Sequence, residues 1–228
     1  MKNPLHEVLN LFYPDLCIIC GETLQSSEHQ ICLACIQQIP RTHFQSLVDN
    51  PVEKRFWGKV DIYRATSFYY FHKGSPFQKL IHELKYKGNK EIGEVMGRLA
   101  ALEMLESPDF SSVDFIIPVP LHPKKLALRG YNQSECIARG LSDILRKPID
   151  THSLVRVMEN TTQTRKSVFE RFQNTSGIFE YKEGLVPDGS HLLLVDDVLT
   201  TGSTLEAAVT SLSAIPGVRI SIFTLAVA

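Results

Sequence analysis

No run of residues in this sequence approaches the roughly 18 consecutive apolar residues that a membrane-spanning helix needs. The opening segment MKNPLHEVLNLFYP is broken by Asn3, His6, Glu7 and Asn10, so it lacks the apolar stretch of about 7–15 residues of a secretory signal peptide. A dominant charge sign is missing too: 24 Lys+Arg against 25 Asp+Glu leave a net charge of −1, whereas domains that wrap nucleic acid over their whole surface run to a pI above about 9. Cysteine is scarce and uneven, with five in all, four of them among the first 35 residues and Cys136 alone. An odd count crowded at one end does not make a secreted disulfide framework. These absences predict a soluble, cytoplasmic protein without a membrane span. What is present, 43% hydrophobic residues in a chain of 228, excludes intrinsic disorder. It allows one large domain, or a domain of about 180–200 residues with a small appendage.

Leu5, Val8, Leu9 and Phe12 share one helix face, and Pro14 closes that segment. DIYRATSFYYF at 61–71 is aromatic and branched, hence one strand or two. Two helices follow, the first with Phe77, Leu80, Ile81 and Leu84 inward, the second with Ile92, Val95, Met96, Leu99 and Leu102 inward. VDFIIPVP at 113–120 has the continuous apolarity of a strand covered on both faces. A third helix carries Cys136, Ile137, Leu141, Ile144 and Leu145. Residues 153–158 predict a strand, and 160–176 a polar, mobile stretch. HLLLVDD at 191–197 is the clearest strand, followed by a helix to about 214 and a last strand VRISIFTLAV. This alternation predicts βαβ units, a mainly parallel sheet, and a ligand site beyond the carboxyl ends of its strands.

Cys17-Ile-Ile-Cys20 and Cys32-Leu-Ala-Cys35 are two CxxC pairs separated by the stretch Gly21 to Ile31. Each pair lets two thiolates approach one ion from a tight turn, and together they form a closed tetrahedral shell with no open position for substrate. The expected ion is structural zinc. A redox pair needs only one CxxC; four buried or disulfide-bonded cysteines are the plainer alternative, and His29 is an alternative ligand. Cys136, on an apolar stripe, reads as a core residue.

The chemistry concentrates in Leu192-Leu-Leu-Val-Asp196-Asp197-Val-Leu-Thr200-Thr201-Gly202-Ser203-Thr204. Adjacent carboxylates at the end of a buried strand are costly unless hydroxyls or a metal complex meet them. The small-residue turn after them can aim backbone N–H groups and a helix N-terminus at a phosphate. Ser203 and Glu206 have capping-box spacing, which predicts where that helix starts. No Gly-Lys-Thr/Ser follows the strand, so a Walker A loop is excluded.

VDDVLTTGST resembles, at every position, the phosphoribosyl-diphosphate (PRPP) binding motif of the type I phosphoribosyltransferases. With the CxxC pairs, PVPLHPKKLALRGYNQSE at 118–135 and TTQTRKSVFERFQNTSGIF at 161–179, the chain resembles the competence protein F (ComF) family over nearly its whole length. The resemblance implies an α/β fold, a type I phosphoribosyltransferase-like mainly parallel sheet flanked by helices in residues 55–228, with a small N-terminal zinc-binding module in residues 1–45. It implies that Asp196 and Asp197 hold the ribose hydroxyls and that Thr200, Thr201, Gly202, Ser203 and Thr204 hold the 5′-phosphate. Val119, Pro120, Leu121 and His122 would contact diphosphate, and residues 160–176 would form a flap.

Residues 121–131 carry Lys124, Lys125 and Arg129 without an acid, a clamp for diphosphate or simply a solvated face. Arg129 joins Asp196 and Asp197 as a candidate catalytic residue, and Lys85 joins the PRPP-binding set. Lys85 also belongs to a second basic strip with Lys79, Lys87 and Lys90 against Glu83. The implied reaction is Mg²⁺-dependent displacement of diphosphate from PRPP by an unknown nucleophile. Thr200 stands where purine-salvage enzymes of this kind carry an aspartate base, which disfavours their substrates, and Cys17 is committed to the knuckle, which disfavours amidotransfer. The competing readings are a competence factor that binds single-stranded DNA or a competence helicase, and a PRPP sensor without turnover.

Overall fold

A computed structural model describes residues 14–157, 177–184 and 186–228. The expected N-terminal helix and the stretch 160–176 lie outside the described residues. The strands are β1 (Arg64–Tyr70), β2 (Phe115–Pro118), β3 (Leu154–Arg156), β4 (Phe179–Tyr181), β5 (His191–Leu199) and β6 (Arg219–Val227). The main helices are α1 (Gln78–Tyr86), α2 (Lys90–Met104), α3 (Pro123–Arg129), α4 (Gln133–Leu145) and α5 (Ser203–Leu212). β1, β6, β5 and β2 form, in that order, an all-parallel sheet, while β3 and β4 make a separate antiparallel pair.

Strand alternation divides the core in two. β5 sends Leu193 and Val195 into one apolar cluster and Leu192 and Leu194 into the other, as a period of two demands. The first face is covered by α1, α2 and α4 together with Ile19, Ile31 and Ile39 of the cysteine segment. The second is covered by α5, Phe56, and Leu154 and Phe179 of the β3–β4 pair. α4, which follows β2 and the short α3, and α5, which follows β5, therefore lie on opposite faces. This opens a crevice at the carboxyl ends of these two neighbouring strands, where open α/β sheets bind ligands.

α2 and α4 approach so closely that only glycine fits at the crossing. A Cβ on Gly97 would stand 2.3 Å from the Ile137 carbonyl oxygen, and one on Gly140 would stand 2.1 Å from that of Glu94. Cys136 is a core residue as its stripe predicts, 2% exposed, and burial pushes its thiol up to about 11.

The sequence reading differs from the structure in four places. Leu102 is solvent-exposed, because it lines an open cavity between its helix and the cysteine segment instead of packing against it. The segment expected as a strand at 153–158 joins β4 rather than the main sheet. Helix α5 begins at Ser203 with Gly202, at φ 88°, as its N-cap, and no side chain caps it. The expected capping box is absent because Gly202 takes the N-cap, which puts Ser203 and Glu206 one position too far into the helix; Glu206 pairs instead with Lys59 at 2.7 Å. Finally, the basic strip of α1 is not continuous: Lys79 donates to the Ile19 carbonyl, Lys85 pairs with Asp197, and Lys90 lies over the Tyr131 ring.

Candidate functional site

The cysteine segment is folded by its own backbone turns. Cys17 N–H bonds the Glu22 carbonyl, Ile18 N–H bonds that of Gln30, and Gly21 takes a positive φ of 81° to close the first CxxC turn. The Sγ atoms of Cys17, Cys20, Cys32 and Cys35 all lie within 4.8 Å of one another, with Cys20 and Cys32 at 3.7 Å. A tetrahedral zinc–thiolate shell with bonds of about 2.3 Å places sulfurs about 3.8 Å apart. The donor set therefore fits zinc, and its chemistry adds a second reason. Burial raises the Cys17 thiol, but the backbone amides of Cys20, Cys32 and Ile19 outweigh it and draw it down to about 6. Burial and the neighbouring sulfurs push Cys35 up. Four thiolates can coexist here only around a cation. His29 stands outside this cluster, which contains cysteines alone.

The second site lies where β5 and β2 end. Leu199, the last residue of β5, is buried and Thr200 is exposed, so the chain leaves the sheet at the Thr200–Thr204 turn. Asp196 and Asp197 are both half-buried. Asp196 accepts from the Ser134 hydroxyl at 3.0 Å and from the Asp197 N–H at 2.9 Å. Asp197 pairs with Lys85 Nζ at 2.8 Å. Desolvation and the adjacent Asp197 charge push Asp196 up to about 7. The two acids thus divide: Asp197 has a cation, while Asp196 has hydrogen-bond donors only.

Glu206 N–H is bonded to the Gly202 carbonyl at 2.9 Å, so the amides of the α5 N-terminus before it point out of the helix toward the loop. Thr201 and Ser203 hydroxyls stand 3.2 Å apart beside them. Val119 continues from β2 alongside β5, its N–H on the Val195 carbonyl at 2.8 Å, and its own carbonyl accepts from Asn132 at 3.0 Å. Pro120 and Leu121 follow, half-buried. Arg129 ends α3, donates to Gln133 Oε1 at 2.8 Å and lies 5.8 Å over the Tyr86 ring. Lys124 and Lys125 are exposed on α3.

The fold thus gathers Asp196, Asp197, Thr200–Thr204, Val119–Leu121 and Lys85 at one rim of the sheet. Sequence reading missed the residues that brace it. Ser134 holds Asp196. Arg55 donates to the carbonyls of Thr200 and Ala228, and Lys59 holds Glu206. Arg156, buried beside Asp196, was likewise read only as part of a strand. Arg55 and Lys59 lie far from the loop in sequence, and no local pattern announces them.

A family model described as "Phosphoribosyl transferase domain" matches residues 132–226. The DNA utilization protein YhgH of Escherichia coli (strain K12) is 30% identical over 210 residues, covering 85% of this chain and 88% of that protein. Competence protein F of Haemophilus influenzae is 27% identical over 212 residues, covering 86% and 89%. The solved adenine phosphoribosyltransferase of Leishmania tarentolae aligns at 10% identity with a TM-score of 0.40, over 79% of this chain and 89% of that one. Among the described residues no helix is long and apolar enough to cross a membrane. By this near-full-length kinship, the chain belongs to the ComF family of competence and DNA utilization proteins, with a phosphoribosyl transferase domain match within it.

Proposed function

We propose that this protein binds PRPP in the crevice between β5 and β2 and catalyses Mg²⁺-dependent displacement of its diphosphate by a nucleophile yet to be identified. The observation that carries this reading is the acidic pair at the end of a buried strand, immediately before an uncapped helix N-terminus built of small hydroxyl residues. Carboxylates facing a crevice are acceptors for the ribose hydroxyls. Backbone amides and the helix dipole at Ser203–Leu205 suit the dianionic 5′-phosphate, with Thr200, Thr201 and Thr204 hydroxyls around it.

Each group has a task as the C1–diphosphate bond breaks ahead of bond making. Asp197, paired with Lys85, and Asp196, oriented by Ser134, fix the ribose so that C1 faces the acceptor. The Val119–Leu121 loop and Arg129 stabilise the negative charge leaving with diphosphate. Magnesium, when bound with PRPP, supplies further neutralisation of that charge. The zinc-type module of residues 1–45 scaffolds the domain of residues 55–228, since its shell has no open position and its apolar residues pack into that domain's first face. A thermal-shift screen tests the reading. PRPP with Mg²⁺ should raise the melting temperature, PRPP without Mg²⁺ should raise it less, and no shift with either would refute it.

One observation favours a second reading. Helix α3 has no buried residue and presents Lys124 and Lys125 beside Leu126 and Leu128, the last 88% exposed. The names of the relatives attach to DNA use and competence. In this reading α3 contacts single-stranded DNA or a helicase partner, and DNA affinity should fall steeply with salt. Affinity that stays flat between low and moderate salt removes it.

A further inference from the structure

Four buried side-chain polar atoms have no hydrogen-bond partner among the described residues: Tyr69 Oη, Ser75 Oγ, Gln133 Nε2 and Arg156 Nε. Three of these belong to residues that border the acidic pair. Tyr69 feels the charge of Asp197, Gln133 precedes the serine that holds Asp196, and Arg156 feels the charge of Asp196. Arg156 stands out, because a hydroxyl or amide left dry forfeits a hydrogen bond whereas a guanidinium cannot shed its charge.

The fold shows how it satisfies a buried arginine when the arginine is structural. Arg64, 8% exposed, has Glu53 at 2.7 Å, Asp109 on a second nitrogen and the Leu47 carbonyl at 2.7 Å on the third. Arg156 is 9% exposed and has no ion pair and no hydrogen bond to a described residue. Its guanidinium lies 5.3 Å from the Phe179 ring, which fixes its position without accepting a hydrogen bond from Nε. Asp196 is near enough to act on it electrostatically, but its Oδ1 accepts from Ser134 and the Asp197 amide, and no hydrogen bond joins it to the Arg156 Nε. β3 and β4 therefore hold a desolvated, preorganised cation beside Asp196, with no ion pair or hydrogen bond to a described residue.

We infer that Arg156 forms an anion subsite beside Asp196, receiving a phosphate-type group of the bound ligand on its planar fork. This rests on the phosphoribosyl reading above and adds to it a residue outside the phosphate-loop motif and the β2 loop. Two parts of such a ligand share this chemistry, the diphosphate and the 5′-phosphate, and two probes separate them.

Arg156→Met removes the charge while keeping volume, and Arg156→Lys keeps a point charge without the fork. Binding of inorganic diphosphate with Mg²⁺ and of ribose 5-phosphate is measured by calorimetry on the full chain, beside ligand-free melting. Arg156→Met should weaken one probe at least tenfold and, by removing a buried charge that no described residue hydrogen-bonds, raise the ligand-free melting temperature; Arg156→Lys should fall between. A loss on diphosphate assigns Arg156 to the leaving group, and a loss on ribose 5-phosphate assigns it to the 5′-phosphate. Unchanged affinity for both probes, or a lower melting temperature for Arg156→Met, overturns the subsite. Wild-type protein that binds neither probe overturns the phosphoribosyl reading itself, which separates the two failures.

Discussion

The cysteine segment and the carboxyl end of β5 both crowd groups that take the same charge, and they differ in where the opposing charge comes from. Around Cys17, Cys20, Cys32 and Cys35 the four sulfurs converge within 4.8 Å, and only a metal ion lets them all ionise. At β5 the fold supplies part of the answer itself, placing Lys85 2.8 Å from Asp197 and the Ser134 hydroxyl on Asp196. The first arrangement is closed once its ion is bound, which suits a scaffold. The second remains incomplete, with Asp196 pushed up to about 7, and an incompletely satisfied site is one a ligand can complete.

The contrast can be broken most forcefully at the sulfurs. Cys17→Ser or Cys35→Ser, or a strong chelator, should abolish zinc content. Ligation supplies on the order of 10 kcal/mol in small zinc peptides, so the segment at 14–40 should lose hydrogen-exchange protection. Retention of one zinc per chain in Cys35→Ser would contradict the closed four-sulfur shell.

A smaller effect is expected at Asp196. Its pKa rises from an ordinary carboxylate value of 3.8 to about 7 on folding, so the folded chain binds a proton that the unfolded chain has lost. Ligand-free stability attributable to this group is fully present below about pH 4 and is lost as pH rises toward 7. Asp196→Asn should flatten that decline and melt a few degrees higher at pH 8, at about 2–4 °C per kcal/mol for a chain of this size. A variant profile that parallels wild type between pH 4 and 8 would show that Asp196 is not the proton acceptor.

Smallest is the Lys85–Asp197 pair, both partners partly exposed. Lys85→Met should destabilise by about 1 kcal/mol, and the effect should shrink in an Asp197→Asn background. Equal losses in both backgrounds would mean that the pair contributes nothing.

How far the sequence carried this account depends on the range of the interactions. The alternation of Leu192 to Val195 and the CxxC spacing are local, and they placed β5 and the cysteine cluster correctly. Cys136 was legible as core from its helical stripe. The residues that complete the crevice are not local. Arg55 reaches Thr200 across 145 positions and Ser134 reaches Asp196 across 62, so only the folded chain reveals them. The capping box failed because the left-handed Gly202 starts the helix one residue early, and Glu206 turns to Lys59 from outside the helix instead. Arg156 carried no local signal at all: its meaning lies in partners it lacks, which no spacing records.

The most direct test of the central claim is isothermal titration of PRPP, with and without Mg²⁺, into wild-type protein and the Asp196→Asn/Asp197→Asn double variant. The account predicts Mg²⁺-dependent binding by wild type and a loss of about 100-fold or more in the variant, equivalent to at least about 2.7 kcal/mol, while the variant still folds. Equal affinity in the two proteins, with the same response to Mg²⁺, would contradict it.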